Sequence, residues 1–342
     1  MDFSLFYFAD DGAAGDGRYR LLLEGAAIAD AAGLAAVWTP ERHFHRFGGL
    51  FPNPAVTAAA VAAVTRRIGI RAGSVVLPLH HPLRLAEEWA VVDNLSGGRA
   101  GLSLAAGWNP GDFVLRPGGY EGRRQETIDG IGLLRGLWRG EPFTGRDGAE
   151  YRIFPRPVQK EPQLWLTSAG SVETFEAGGQ AGVGILTHLL GHPLAALAGK
   201  IARYRAAYAG SGRPGRGHVT LMAHTYLDDD LAAAERVARE PLLRYLASSL
   251  DLGVAPANRS GGAGIRPGTL SPARARLAVT AACDRYLHHD GLFGSVRDAL
   301  PAVQAVAAVD VDEIACLIDF GVPTSAALRG ITRIADLQAV AA

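Results

Sequence analysis

Histidine side chains recur where the short apolar segments of this sequence end. At least five of the ten histidines lie at or near the end of a predicted strand. Histidine titrates near neutrality, so it can act as an acid, a base, an oxyanion donor or a metal ligand. Any one histidine alone is more simply an ordinary polar loop residue, and only the recurrence favours a functional site. The polar and aromatic side chains at or near the ends of predicted strands are Glu41, Arg42, His43, His45, His80, His81, Trp108, Asn109, His188, His224, Tyr226 and Asp319.

A metal site is a minor alternative for these histidines. A metal-dependent hydrolase built on a barrel typically carries His-x-His at the end of its first strand, whereas the first strand here ends in FADD. His80 and His81 are adjacent, so we expect at most one of them to face the pocket. No residue is therefore assigned as a metal ligand.

The segment WLTSAGSVETF (165–175) is the best candidate for an anion site. A predicted strand stops at Ser168, Gly170 permits a tight turn and a helix begins near Ser171. Free backbone N–H groups at such a helix start can bind a phosphate, and the hydroxyls of Ser171 and Thr174 would add donors. On the local sequence alone the simpler interpretation is favoured, in which Ser171 caps the helix.

The elements that would position these side chains are apolar runs alternating with amphipathic helices. Continuous apolar runs are typical of strands buried on both faces of a parallel sheet. Eight such strands predict an α/β fold, the (β/α)₈ TIM barrel, whose active site lies at the carboxyl ends of the strands. An open doubly wound sheet is the alternative, but ADDGAAGDG after the first strand does not fit GxGxxG. The predicted strands are 3–9, 35–39, 68–78, 100–107, 162–169, 182–188, 219–227 and 313–321.

We expect residues 1–342 to form a single barrel that two stretches interrupt. Residues 140–161 carry turn residues and three prolines, which predicts an excursion between the fourth and fifth strands. Residues 251–275 are rich in Gly, Pro and Arg, and a loop of this length predicts a lid or a disordered segment. The predicted helices are 19–32, 54–65, 83–95, 123–138, 171–180, 193–209, 231–248, 296–307 and 325–329. The last of these is short, and we expect the final barrel helix to run on into the tail.

The segment DNLSGGR (93–99) has a structural interpretation. Gly97 and Gly98 suit the carboxyl-terminal cap of a helix, because a glycine there adopts a left-handed conformation without strain. Arg99 is expected to pair with Asp93 of the same stretch.

Charge and composition argue against several classes of protein. Lys+Arg and Asp+Glu number 34 each and no basic block is present, so neither nucleic acid nor an anionic membrane is an expected partner. Cys283 and Cys316 lie in no CxxC or Cys/His cluster, which predicts reduced thiols in a cytoplasmic protein. The first residues lack the basic region and cleavage site of a signal peptide, and no segment reaches the ~20 apolar residues that span a bilayer.

Several segments together resemble the bacterial luciferase-like flavin monooxygenases. The family's segment after the second strand, where luciferase has EHHF, is similar to WTPERHFHRFGGLFPNPAVTAAA (38–60). Its core from the third to the fourth strand is similar to SVVLPLHHPLRLAEEWAVVDNLSGGRAGLSLAAGW (74–108). A subgroup found with polyketide and non-ribosomal peptide biosynthesis is resembled by ERHFHRFGGLFPNP, THLLGH, the YL pair at 245–246 and DEIACLIDFGV.

The resemblance implies that FMN in its reduced form, FMNH₂, binds across the barrel mouth. With O₂ as co-substrate it would oxidise a small molecule or a carrier-tethered intermediate of secondary metabolism. The flavin ring would lie over the ends of strands 3 and 4, beside a non-prolyl cis peptide, and the phosphate would lie where helix 5 begins. The residues that match this flavin site are Gly73, Ser74, Trp108, Asn109, Ala169, Gly170, Ser171 and Thr174.

The catalytic candidates that the resemblance implies depart from luciferase. Its catalytic histidine is the first of the EHHF pair, which Arg42 matches here, whereas His43 matches the second. His43 is therefore the leading acid/base candidate, and Arg42 is expected to anchor an anionic substrate or the reduced flavin. Luciferase also has an arginine near the phosphate where this sequence has Ala106, so its aldehyde chemistry and phosphate clamp do not transfer. The catalytic candidates are Arg42, His43, His188 and His81, the last as one of an adjacent pair with His80.

Partners also follow from the resemblance. They are a separate flavin reductase that supplies FMNH₂, a second copy of the chain in a homodimer and, by the subgroup resemblance alone, an acyl or peptidyl carrier protein. Hydride transfer with a deazaflavin or flavin stays an alternative, as does a non-catalytic flavin-binding protein. A mouth rich in His, Arg and Asn argues against storage. Hydroxylation at carbon, N-oxidation and Baeyer–Villiger insertion are not distinguished by the sequence.

Overall fold

The computed structural model describes residues 1–8, 17–189, 193–254 and 271–341, in which strands and helices alternate. The strands are β1 Asp2–Phe6, β2 Ala36–Thr39, β3 Gly69–Val76, β4 Ala100–Ala105, β5 Phe143–Thr144, β6 Glu150–Tyr151, β7 Gln163–Ser168, β8 Gly184–His188, β9 Val219–Leu227, β10 Leu292–Gly294 and β11 Glu313–Leu317. The helices are α1 Arg20–Ala32, α2 Pro54–Val64, α3 Pro82–Ser96, α4 Arg123–Arg139, α5 Val172–Gln180, α6 Ala195–Ala209, α7 Leu231–Val254, α8 Pro272–Arg285, α9 Val296–Ala308 and α10 Thr324–Ala341. Short 3₁₀ turns cover Leu77–Leu79 and Pro110–Leu115, and a π-helix covers Tyr286–Asp290.

Eight parallel strands close into a barrel. Their order is β1-β2-β3-β4-β7-β8-β9-β11, and β11 pairs with β1 to complete the ring. The predicted TIM barrel is therefore confirmed, and each of the eight predicted strands overlaps one strand of the ring. The open-sheet alternative is wrong, because an open sheet would leave two edge strands unpaired. β10 adds a ninth parallel strand against the carboxyl end of β9.

The two interruptions differ in kind. Within residues 140–161, β5 and β6 form a small antiparallel hairpin outside the barrel. Within residues 251–275, α7 continues to Val254 and α8 begins at Pro272, so both ends of this stretch are helical. Residues 255–270 lie outside the described residues, and the expected lid stays a prediction. The last helix, α10, runs far beyond the predicted 325–329.

The turn after α3 confirms one local expectation and corrects another. Gly97 caps the helix with a φ of 69°, as expected. Arg99 does not pair with Asp93, however, because its guanidinium donates to the carbonyl oxygens of Ser96, Ile68 and Thr65. Asp93 instead accepts hydrogen bonds from the backbone at 158–159.

Buried side chains form two layers. One lies between the strands and the surrounding helices. The other contains the side chains that fill the barrel interior, among them Trp38, Trp165 and Leu317. Cys283 and Cys316 are both buried free thiols, as expected. No helix of the described residues is long and apolar enough to cross a membrane.

A buried ion pair occupies the amino-terminal half of the barrel interior. The carboxylate of Glu313, at the start of β11, accepts hydrogen bonds from the Ser4 hydroxyl at 2.5 Å, the Trp38 indole at 3.0 Å and the Arg71 guanidinium at 2.7 Å. The Arg71 guanidinium carbon lies 4.9 Å from the Trp38 ring centroid and 4.6 Å from that of Trp165. Burial alone would raise the pKa of Glu313, but Arg71 and the other partners hold it below its usual value. This ion pair and the two indole rings therefore fill the end of the barrel interior opposite the mouth.

We expect Glu313→Gln to lower the free energy of unfolding by about 3 kcal/mol, because Arg71 then keeps a buried charge without its counter-ion. Urea denaturation at neutral pH measures this loss. The double variant Arg71→Met, Glu313→Gln should recover a large part of it, and a double variant no more stable than Glu313→Gln would contradict the assignment. Because the pKa of Glu313 is lowered in the folded protein, the carboxylate stabilises the fold above about pH 4.5, and this stabilisation is lost as the pH falls. The free energies of unfolding of wild type and variant should therefore converge in acid.

Candidate functional site

A buried carboxylate, Glu41, organises the loop that follows β2. Its Oε1 accepts hydrogen bonds from Nε2 of His43 and Nε2 of His80, both at 2.8 Å. Its Oε2 accepts the backbone N–H of Val76 at 2.7 Å. The Glu41 side chain is fully buried, whereas those of His43 and His80 are 12% and 19% exposed. The carboxylate therefore ties the loop after β2 to the end of β3 and fixes both imidazole rings at the barrel mouth.

The proton equilibria of this cluster follow from the same contacts. Burial would raise the pKa of Glu41, but the hydrogen bonds from the two histidines and from Val76 hold it below its usual value. Burial would lower the pKa of His80, but the Glu41 carboxylate raises it above the ordinary 6.5. His80 thus keeps its proton to a higher pH than an exposed histidine would.

Arg42 extends from the same loop toward the end of β4. Its Nη1 lies 3.4 Å from Oδ2 of Asp112, whose Oδ1 accepts a hydrogen bond from Asn109 at 2.7 Å. The guanidinium carbon lies 5.0 Å from the Trp108 ring centroid. Gly48, at a φ of 74°, packs against the Arg42 stem, and a Cβ at that position would overlap Cγ of Arg42. The arginine is therefore held in one direction by its neighbours.

Two nitrogens of this buried guanidinium have no hydrogen-bond partner among the described residues. They are Nε and Nη2 of Arg42, a residue only 4% exposed. Burial lowers the pKa of Arg42 and raises that of Asp112. Buried donors without a partner are costly and rare, so these nitrogens are suited to bind an anionic or carbonyl oxygen.

Three hydroxyl groups form a strip across the ends of β3, β4 and β7. The Thr167 hydroxyl contacts that of Ser74 and lies 2.6 Å from that of Ser103. The peptide bond Gly73–Ser74 is cis, as expected. A Cβ at Gly73 would lie 2.7 Å from the Phe6 ring, so only glycine fits at this point. The strip gives the mouth a polar lining on this side.

The start of α5 continues the same side of the mouth. The Ser171 hydroxyl accepts the Thr174 N–H at 3.3 Å, which confirms the capping interpretation. It also donates to Glu173, and Gly170 has a φ of 108°. The Thr174 hydroxyl makes no hydrogen bond with a described residue. This hydroxyl and the positive end of the helix dipole remain suited to a phosphate.

The remaining candidate histidines lie apart from Glu41. His188 ends β8, close enough to His224 of β9 to affect its titration. Burial, and to a smaller extent the nearby His188, lower the pKa of His224 to about 3. His81 is exposed at the start of α3, with its ring 5.7 Å from that of Phe143. The contact with the carboxylate thus belongs to His80 and not to its neighbour His81.

Sequence reasoning missed the polar partners that the fold brings to these residues. Asp112, Ser103 and Thr167 each lie alone in the sequence, and barrel closure places them beside Arg42 and Ser74. A usable signal existed for Asp112 alone, since Asn109 caps the 3₁₀ turn that carries it. Among the described residues no group of three or more His, Cys, Asp or Glu side chains could hold a metal ion.

Comparison with known proteins identifies the family of this chain. Residues 1–314 match the family of luciferase-like monooxygenases. The oxygenase component of flavin-dependent trigonelline monooxygenase from Acinetobacter baylyi is 28% identical over 260 residues, 72% of this chain and 70% of that relative. 4-Hydroxyprotoasukamycin monooxygenase from Streptomyces nodosus subsp. asukaensis is 29% identical over 171 residues, and this match spans 48% of the chain and 46% of that relative.

Solved structures share the fold over the full chain. Monooxygenase RslO1 from Streptomyces bottropensis superposes with a TM-score of 0.77 at 22% identity and covers 99% of both chains. The oxygenating constituent of 3,6-diketocamphane monooxygenase from Pseudomonas putida, solved in complex with FMN, gives 0.76 at 18% identity and covers 98% of this chain and 96% of that chain. At these identities the likeness establishes the barrel fold alone.

We expect Glu41→Gln to lower the pKa of His80 below 6.5, because burial then acts without the opposing carboxylate. Titration of the histidine ring signals by NMR measures the change. Glu88→Gln is the matched control, since Glu88 is the weaker acidic neighbour and should cause a smaller fall. A raised histidine pKa stabilises the fold below that pKa, so Glu41→Gln should destabilise more at about pH 5.5 than at about pH 8. A His80 pKa that stays at its wild-type value would contradict the pairing.

Proposed function

This chain belongs to the luciferase-like monooxygenase family and is a flavin-dependent monooxygenase, and we propose that it uses FMNH₂ and O₂ to oxidise a small molecule of secondary metabolism. The observation that carries the proposal is the set of hydroxyls of Ser74 and Thr167 at the strand ends, together with those at the start of α5. Its hydroxyls and helix end fit the polar edge and the phosphate of a flavin. The mouth is the position of active sites in TIM barrels.

The phosphate end of the flavin is assigned to the turn between β7 and α5. Ala169 and Gly170 form this turn, and the Ser171 and Thr174 hydroxyls stand at the first turn of the helix. Ala106 on the neighbouring strand end provides no charge, so the helix end and these hydroxyls would carry the anchoring. The conformation of Gly170, with a φ of 108°, disfavours any side chain there.

The ring end of the flavin is assigned to Gly73, Ser74, Trp108 and Asn109. When bound, the reduced flavin supplies the electrons that activate O₂. Trp108 is 52% exposed at the rim, so its indole is available to cover a ring and exclude water. Asn109 is fixed by its hydrogen bond to Asp112.

Proton transfer is assigned to His43, with His188 as a second candidate across the mouth. Nε2 of His43 is bound to Glu41, which leaves Nδ1 to take or give a proton, since Nδ1 makes no hydrogen bond with a described residue. This arrangement of carboxylate, imidazole and substrate is a common one in general acid–base catalysis. Arg42 would bind the negative charge that develops beside it.

The proposal also includes the partners of this chain. The relative from Acinetobacter is named as an oxygenase component, and a separate flavin reductase is proposed to supply FMNH₂ here as well. We also propose a cytoplasmic homodimer whose substrate is free or tethered to an acyl or peptidyl carrier protein. The exposed His81 has no assigned contact with flavin or substrate in this arrangement.

The proposal is tested by anaerobic titration of the protein with FMNH₂, followed by rapid mixing with O₂. We expect saturable binding and a reoxidation rate clearly different from that of free FMNH₂, because the site excludes water and orders the ring. A parallel titration with a deazaflavin distinguishes oxygenation from hydride transfer. A hydride-transfer enzyme would bind the deazaflavin tightly and would not react with O₂. Absence of flavin binding in either redox state would overturn the proposal.

We expect the wild-type protein to bind FMN more tightly than riboflavin, and Thr174→Val to reduce this preference about tenfold, because the hydroxyl donates to the phosphate. Flavin fluorescence quenching measures both affinities. The matched control is Thr280→Val, on an exposed face of α8, which removes a hydroxyl that bonds only the helix backbone. An unchanged FMN-to-riboflavin ratio in Thr174→Val would remove this residue from the phosphate site.

A further inference from the structure

A cavity of about 850 Å³ lies at the ends of β1 and β11, against the start of α1, the loop after β2 and α7. Its described lining includes the aromatic side chains of Tyr7, Phe51, Tyr245 and Phe320. None of the residues assigned to the flavin lines it. The cavity is large enough for a molecule of drug size beside the flavin site rather than within it.

The charge of the described residues that line this cavity is mainly positive. Three arginines line it, Arg18, Arg46 and Arg244, against one described carboxylate, Asp319. Arg46 is exposed and makes no ion pair with a described residue, and Arg244 pairs with Glu240 where both side chains are largely exposed. Asp319 accepts a hydrogen bond from the backbone N–H of Phe8 at 2.5 Å, which partly compensates the negative charge of this carboxylate. The rim therefore attracts anions.

A buried hydroxyl marks the inner end of the cavity. Tyr245 is only 7% exposed, yet its hydroxyl makes no hydrogen bond with a described residue. It is close enough to Arg42 for each to affect the titration of the other. The ring of His224 lies 5.4 Å behind that of Tyr245, and Nε2 of His224 has no partner among the described residues either. The Tyr245 hydroxyl, which lines the cavity, is therefore available to a ligand's polar group.

We propose that this cavity binds the substrate and that the substrate is an aromatic or similarly flat apolar acid, an inference that rests on the proposed function. The apolar body packs against Tyr7, Phe51 and Phe320, and the anionic group lies at the arginine rim. The end to be oxidised lies toward Tyr245 and Arg42, next to the flavin half of the mouth. A neutral apolar substrate would leave the charge of Arg46 unused, whereas an acid uses both parts of the lining.

The probes are 2-naphthoate and 2-naphthamide, which share a ring system and differ in charge. Each is titrated into the FMN-loaded protein by calorimetry at low ionic strength, with FMN binding recorded in the same samples. We expect naphthoate to bind about tenfold more tightly than naphthamide, and the difference to shrink as salt screens the arginines. Arg46→Gln, Arg244→Gln should reduce the preference to about twofold or less.

Two further variants separate the cavity from general effects. Arg84→Gln, an exposed arginine on α3, is the control and should keep the full preference. Tyr245→Phe preserves the ring and should weaken both probes at least threefold while FMN affinity stays unchanged.

Equal binding of the two probes, no binding of either, or a preference that survives the double arginine variant would overturn the assignment of this cavity. These results with FMN binding intact would leave the proposed function standing. Failure to bind FMN would instead count against the proposed function, and the same titration in flavin-free protein would still test the cavity.

Discussion

The mouth of this barrel depends on one buried carboxylate. Glu41 accepts hydrogen bonds from two imidazoles and one backbone N–H, and through them it joins the loop after β2 to the end of β3. That loop carries both Arg42 and His43, so their positions relative to the hydroxyl strip follow from where the carboxylate is held. A buried charge is stable only when its lone pairs are satisfied, which is why the loop has little freedom to reorganise.

The two ends of the barrel interior use similar chemistry for different purposes. At the amino-terminal end, Glu313 and Arg71 neutralise each other beside two indole rings, and only Nε of Arg71 has no described partner. At the carboxyl end, Arg42 is only partly neutralised by Asp112, and two of its nitrogens have no described partner. In TIM barrels the first end serves stability and the second serves chemistry. The difference lies in how completely each buried charge is satisfied.

The sequence predicted the architecture well where the signal was local and repeated. Continuous apolar runs identified all eight barrel strands, and the resemblance to luciferase-like monooxygenases is confirmed by the family match over residues 1–314. β10 was missed because three residues carry no periodicity, and α8 because it follows a stretch rich in glycine and arginine. α10 does run on into the tail, as expected, and its apolar face continues through Ile331, Ile334 and Leu337.

Much less of the site was predictable. Glu41, Arg42 and His43 could be found because they directly follow a strand, and the cis peptide at Gly73–Ser74 followed from the resemblance. Ser103 and Thr167 could not, because only the pairing of β3, β4 and β7 brings residues so distant in sequence together. Adjacent His80 and His81 could not be told apart, since direction depends on the 3₁₀ turn that precedes them. The catalytic and cofactor roles of these residues stay predictions.

The contact between Gly48 and the stem of Arg42 bears on how strongly the arginine can act. A surface arginine such as Arg46 loses rotamer freedom each time it binds a ligand, and this loss of entropy makes the free energy of binding less favourable. Arg42 is confined by the backbone at Gly48, the Trp108 ring and Asp112, so it has lost this freedom already during folding. An incoming anion therefore meets a preorganised cation. We expect Arg42 to accept an anion in a narrower range of orientations than a surface arginine does.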